Sequence, residues 1–137
     1  MQTILSVPLV SLSNSKVLIV DDARTHRLLL KKVLRLFNIE AKEAENGIEA
    51  IAQWQRWQPH LIFMDLLMPD MDGATAVHRI RQQTHGDEVI IIAYTAGLET
   101  EQEKVAIAEC DGILQKPCKP QEIEALLEKH LQILITA

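Results

Sequence analysis

The chain reads as an α/β protein, a doubly wound sheet of five parallel strands flanked by five helices. Three features point there. Three short, unbroken apolar runs end at polar residues, as strands buried on both faces of a parallel sheet do. The stretches between them carry apolar residues at helical spacing. Strand-like and helix-like segments alternate strictly from Lys16 onward, the βαβ pattern that closes with right-handed crossovers.

Taken in order, Val17-Leu18-Ile19-Val20 is the first run and ends in Asp21-Asp22. Leu28, Leu29, Leu30, Val33, Leu34, Leu36 and Phe37 then give one strong apolar helix face. Residues 40–44 alternate charge with alanine and make a weaker strand. Asn46, with Glu49 three residues on, resembles a capping box that opens a second helix carrying Ile48, Ile51 and Trp54. Leu61-Ile62-Phe63-Met64 ends in Asp65, and Asp72 leads into a third helix with Ala74, Val77 and Ile80. Val89-Ile90-Ile91-Ile92-Ala93 ends in Tyr94-Thr95. Residues 99–110 form a helix that is polar at first and apolar only at Val105, Ala106 and Ile107. Residues 112–114 are a very short strand, and Pro120 opens a last helix with Ile123, Leu126, Leu127, Leu131 and Leu134 on one side. The two weak strands suit sheet edges, where only part of a strand is covered.

Composition narrows the classes of function. A length of 137 residues predicts one domain, and 47% apolar with 24% charged residues is near the average of a soluble protein. The net charge of -5 disfavours nucleic acid as a main partner and a polybasic membrane contact. Two cysteines, Cys110 and Cys118, make no disulfide framework. No apolar run reaches the roughly 18 residues of a transmembrane helix, and residues 1–15 lack the basic start of a secretory signal. The expectation is a cytoplasmic chain with an N-terminal extension or linker at 1–15, a domain at 16–134 and a tail at 135–137.

In a doubly wound sheet, ligands bind beyond the carboxyl ends of the strands. That rule selects Asp21, Asp22, Asp65, Thr95 and Lys116. Converging carboxylates push one another's pKa values up unless a cation compensates, and hard oxygen ligands suit Mg²⁺. A carboxylate can also attack a phosphoryl group and form an aspartyl phosphate. That reaction calls for a metal, a cation and a hydroxyl donor, and Lys116 and Thr95 supply the last two. Each residue alone has a plainer role: Asp22 or Thr95 as a helix cap, Lys116 as a solvated loop lysine. The joint arrangement is far rarer by chance than any one member.

Val17-Leu18-Ile19-Val20-Asp21-Asp22, the segment from Met64-Asp65 through Met68-Pro69 to Asp72-Gly73, Ala93-Tyr94-Thr95-Ala96 and Lys116-Pro117 together resemble the receiver domain of two-component response regulators. Arg27-Leu28-Leu29-Leu30, Ala44-Glu45-Asn46-Gly47 and Lys116-Pro117-Cys118-Lys119-Pro120 resemble, more narrowly, receivers carried by hybrid histidine kinases. The resemblance covers residues 16–134 and implies a flavodoxin-like sheet in the order 2-1-3-4-5. It implies that Asp65 accepts a phosphoryl group from a phosphohistidine on a histidine kinase or histidine phosphotransfer domain. It implies Mg²⁺ held by Asp22, Asp65 and the backbone carbonyl of Leu67, with Asp21 reaching it through water. Lys116 would pair with the phosphoryl group, Thr95 would move inward to hydrogen-bond it, and the Lys116-Pro117 bond would be cis. The first helix would be the docking face, and the surface of the fourth helix, fifth strand and fifth helix would carry the switch and a homodimer contact.

The chain departs from the family pattern in places. Ile113 stands where the family usually has a switching aromatic, and strand alternation turns the neighbouring Tyr94 away from Thr95. Leu67 and Gly97 occupy the two positions that border the path of hydrolytic water, and neither side chain orients a water. Self-dephosphorylation is therefore expected to be slow. His26 is expected as a surface histidine near the docking face, Trp54 as packed on the sheet, Cys118 as an ordinary loop cysteine. Asp70-Met71-Asp72 superficially resembles a phosphatase two-aspartate motif but does not directly end a strand, so it reads as a loop plus a helix cap. Two competing functions remain: a phosphorylation-independent scaffold, and a phosphotransferase or phosphatase acting on a small substrate. The expectation from these 137 residues is a receiver with no output module or cap domain among them, either standing alone or cut from a larger protein such as a hybrid kinase.

Overall fold

The computed structural model describes residues 15–68, 70–97 and 100–131. Among them are β1 (Lys16–Val20), α1 (Arg24–Leu36), β2 (Glu40–Ala44), α2 (Gly47–Trp57), β3 (Leu61–Met64), α3 (Gly73–Arg81), β4 (Ile90–Thr95), α4 (Glu101–Ile107), β5 (Gly112–Gln115) and α5 (Pro120–Leu131). The strands pair in parallel in the order β2-β1-β3-β4-β5. The alternating β2 and the short β5 are the edges, and the three apolar runs fill the centre. Leu134 and segments 1–14 and 135–137 lie outside the described residues.

The strand period of two splits each run between two core layers. Leu18, Val20, Ile62, Met64, Ile91 and Ala93 face α2, α3 and α4, where Trp54, Val77, Ile80 and Ala106 meet them. Val17, Ile19, Leu61, Phe63, Ile92, Tyr94 and Leu114 face α1 and α5, against Leu30, Val33, Leu34, Ile123 and Leu127. Tyr94 and Thr95 thus point to opposite faces, as the alternation requires.

Helix starts explain most of the local boundaries. Asn46 caps α2 by accepting from Glu49 N, while the Glu49 carboxylate accepts from Glu45 N rather than from the cap residue itself. Asp72 caps α3 through Thr75 N. The fourth helix is shorter than its expected span, because Thr100 caps it and forms a reciprocal capping box with Glu103. The cap role weighed for Thr95 therefore falls to Thr100. Asp22 does not cap α1 either. The N-cap there is Ala23, which has no side-chain cap, and Ala23 N donates instead to Asp21 Oδ1 at 2.8 Å.

One contact fixes α3 beneath the carboxyl end of β3. A Cβ on Gly73 would stand 1.8 Å from the Asp65 carbonyl oxygen, so only glycine lets the helix start so close to that strand end. At the other end of α3, Arg81 donates to Glu109 O, Gly86 O and Val89 O at 2.7–2.9 Å and pairs with Asp111 at 2.9 Å. Asp111 also accepts from Ile91 N. This arginine ties α3, the entry to β4 and the loop before β5 together.

Replacing Arg81 with Ala strands three carbonyls and a carboxylate, so urea unfolding is expected to show a loss of about 2–4 kcal/mol. Lys104→Ala, which breaks an exposed 3.4 Å pair with Glu101, should stay within about 0.5 kcal/mol. Equal losses for the two variants would refute the tie assigned to Arg81.

Candidate functional site

The carboxyl ends of β1, β3 and β4 and the segment after β5 converge on one spot. Parallel pairing sets Val20 beside Met64, Met64 beside Ala93 and Thr95 beside Gln115, so the residues that follow share one edge of the sheet. Carboxylate oxygens of Asp21, Asp22 and Asp65 lie within 4.8 Å of one another. Asp21 is fully buried, Asp65 nearly so, and Asp22 exposed.

Lys116 closes this cluster. Its Nζ lies 2.7 Å from Asp21 Oδ2 and 3.2 Å from Asp65 Oδ2, with only 12% of the side chain exposed. A solvated loop lysine is thereby excluded. The ammonium also sits 4.7 Å from the centre of the Tyr94 ring, on the face that attracts cations. The peptide Lys116-Pro117 is cis. Burial pushes the Asp65 carboxyl up to about 6, and the Asp21 charge adds to that, while Lys116 and the Leu67 N–H act against it. That N–H donates to Asp65 Oδ1 at 3.1 Å. The Leu67 side chain is exposed.

Thr95 is buried at the end of β4, but its hydroxyl does not reach Asp65. Among the described residues its partners are Gly97 O at 3.0 Å and Glu103 Oε2 at 3.1 Å. The structure thus unites Asp21, Asp22, Asp65 and Lys116 directly and leaves Thr95 beside them, turned toward α4.

Two supporting residues were not legible in the sequence. His26 is more than a surface histidine: its Nδ1 lies 3.2 Å from Asp21 Oδ2 and its ring meets Tyr94 edge-on at 6.3 Å. Arg27, a buried residue of α1, donates to the Asp21 carbonyl oxygen at 2.7 Å and to Glu43 at 2.8 Å. An i,i+5 and an i,i+6 contact bridge the strand-to-helix turn, a spacing that belongs to no regular pattern. Cys118, whose thiol approaches the Tyr94 hydroxyl at 4.0 Å, has its pKa pushed up by burial, which works against the thiolate form.

The donor set fits a hard divalent cation. Three carboxylates on one spot, one of them exposed, offer oxygen ligands with an open side, and a single lysine does not balance their charge. The His and Cys residues form no comparable cluster among the described residues.

The chain matches the response regulator receiver domain family over residues 17–128. It is 36% identical over 112 residues to the chemotaxis protein CheY of Halobacterium salinarum, which spans 81% of this chain and 92% of that protein. The receiver domain of a sensor histidine kinase from Pseudomonas aeruginosa PAO1, crystallised with a magnesium ion coordinated in its active site cleft, superposes with a TM-score of 0.79. It is 27% identical, over 86% of this chain and 98% of that one. The chemotaxis response regulator CheY4 of Vibrio cholerae gives a TM-score of 0.76 at 29% identity, over 84% and 97% of the two chains.

Asp65 has a sign-definite consequence for stability. With its folded pKa raised to about 6 from an ordinary 3.8, the native state holds a proton that the unfolded chain has lost between those values. Stability then falls as pH rises through that window. In metal-free protein, Asp65→Asn is expected to gain on the order of 1–3 kcal/mol at pH 7.5, shrinking toward pH 5. Urea melts in EDTA at both pH values measure it, and a gain that grows at pH 5 would reverse the assignment.

Proposed function

The chain belongs to the response regulator receiver domain family, and on that premise we propose that Asp65 accepts a phosphoryl group from a phosphohistidine of a partner protein. Receiver domains of this family work in two-component signalling, and this chain is one of them. The observation that carries the assignment is the Lys116 ammonium bridging Asp21 and Asp65 beside an exposed third carboxylate.

In the transfer, a carboxylate oxygen of Asp65 forms the new P–O bond while the P–N bond of the donor imidazole breaks. The electron pair returns to the imidazole nitrogen, which takes a proton from solvent. With its pKa near 6, Asp65 is mostly ionised at neutral pH and carries the lone pair that attacks. Lys116 balances the charge of the incoming phosphoryl oxygens from a position already fixed by Asp21. Mg²⁺, held by Asp22, Asp65 and the Leu67 carbonyl and reached by Asp21 through water, would neutralise phosphoryl charge. Thr95 would then turn its hydroxyl inward to the phosphoryl group.

The proposed donor is a histidine kinase or histidine phosphotransfer domain docking on α1, beside His26. The proposed output is a change in protein contacts over α4, β5 and α5, including a homodimer contact through that face. Residues 16–134 are proposed as the receiver unit, with 1–15 as an extension. No helix among the described residues is long and apolar enough to cross a membrane. A phosphorylation-independent scaffold is the second reading, and Ile113 favours it: an aliphatic side chain, 45% exposed on β5, stands in the place of a switching aromatic.

Acetyl phosphate with Mg²⁺ distinguishes these readings. Wild-type protein is expected to take up one label, Asp65→Asn none, and Lys116→Ala to be labelled at least about tenfold more slowly. An unlabelled wild type supports the scaffold, and repeated turnover of a small phosphate ester a phosphatase. With Leu67 exposed and Gly97 lacking a side chain, the label should outlast that of fast chemotaxis-type receivers. Decay as quick as theirs would remove the role given to these two residues.

A further inference from the structure

Glu103 is an unusual residue for its place. It is the third residue of a capping box, a position normally at the helix surface, yet it is fully buried. The cap accounts for one of its oxygens only: Oε1 accepts from Thr100 N at 3.0 Å and from the Thr100 hydroxyl at 3.2 Å. The other, Oε2, turns inward and accepts from the Thr95 hydroxyl at 3.1 Å. A buried carboxylate needs such partners, since an uncompensated one is costly to desolvate. The hydroxyl has one proton, and Glu103 and the Gly97 carbonyl share it.

We propose that Glu103 is a positioning residue that anchors the Thr95 side chain in its resting orientation, so that the hydroxyl reaches a phosphoryl group on Asp65 only by giving up the buried Glu103 acceptor. The inference rests on the phosphoacceptor reading for its consequence, but the anchor itself exists without any phosphoryl group. A hydrogen bond in a buried site is lost only at the cost of leaving its acceptor unpaired. The anchor therefore biases the unphosphorylated chain toward its resting state, and phosphorylation must outcompete it. The capping box makes this bias rigid, because Thr100 fixes the carboxylate that Thr95 binds.

Glu103→Gln tests this cleanly. Glutamine serves equally well in a capping box. With its oxygen held by Thr100 N, its NH₂ faces Thr95, whose proton is then released from that contact. In protein without a phosphoryl donor, side-chain couplings measured by NMR should report one Thr95 rotamer in wild type and averaging in Glu103→Gln. With acetyl phosphate and Mg²⁺, Glu103→Gln should be labelled about three- to tenfold faster, the factor one hydrogen bond's net free energy supports. In a Thr95→Val background the same substitution should leave the rate unchanged, whereas a purely structural role would act regardless of Thr95. Thr100→Ala, which weakens the cap, should lower the melting temperature in both backgrounds alike. A single Thr95 rotamer in Glu103→Gln, or a rate effect that persists in Thr95→Val, overturns the proposal. Rotamer release without any labelling of wild type upholds the anchor and overturns instead the phosphoacceptor reading.

Discussion

The placement of one ammonium between two buried carboxylates governs the functional edge of this molecule. Lys116 follows β5 at one border of the sheet, yet its Nζ reaches Asp21 after β1 and Asp65 after β3. Those carboxylates could not be packed so close without it, because like charges in a poorly solvated spot oppose one another's ionisation. Even so, Asp65 stays raised toward 6. The site therefore carries surplus negative charge on an open side, which is what a divalent cation would use.

Several otherwise unrelated features support that arrangement. Gly73 brings the start of α3 against the Asp65 backbone. Arg27 holds the Asp21 carbonyl, and His26 Nδ1 approaches Asp21 Oδ2, the oxygen that Lys116 also contacts. Tyr94 lies beneath Lys116 as a ring face in the α1–α5 layer. On the opposite layer Thr95 is engaged with α4 through Glu103. The two neighbouring residues at the end of β4 thus couple to different faces of the sheet: Tyr94 to Lys116 and to His26 of α1, Thr95 to Glu103 of α4.

Much of the fold was readable because burial imposes a period. Unbroken apolar runs at residues 17–20, 61–64 and 89–93 had to be central strands, and the charged alternation of 40–44 had to be an edge. Asp72 and Asn46 announced their helices through capping chemistry. The fourth helix was harder: its polar first turns carry no apolar stripe, and only the Thr100–Glu103 reciprocity marks where it begins. His26, Arg27, Arg81 and Glu103 were not legible as functional or structural anchors. Their partners lie across turns or on other elements, and no local spacing encodes such meetings.

By itself, then, the sequence determined the layered α/β architecture and the set of reactive side chains at the strand ends, since both follow from periodicity and from where apolar runs stop. Only the tertiary structure decided which of those side chains share charge and which hold one another's protons. Asp22 is open while Asp21 is sealed under a lysine and a histidine, and Thr95 is bound to a buried glutamate rather than to Asp65. The reason is physical: Coulombic and hydrogen-bond partnerships depend on distances of a few ångströms, which are set by the packing of elements far apart in the chain.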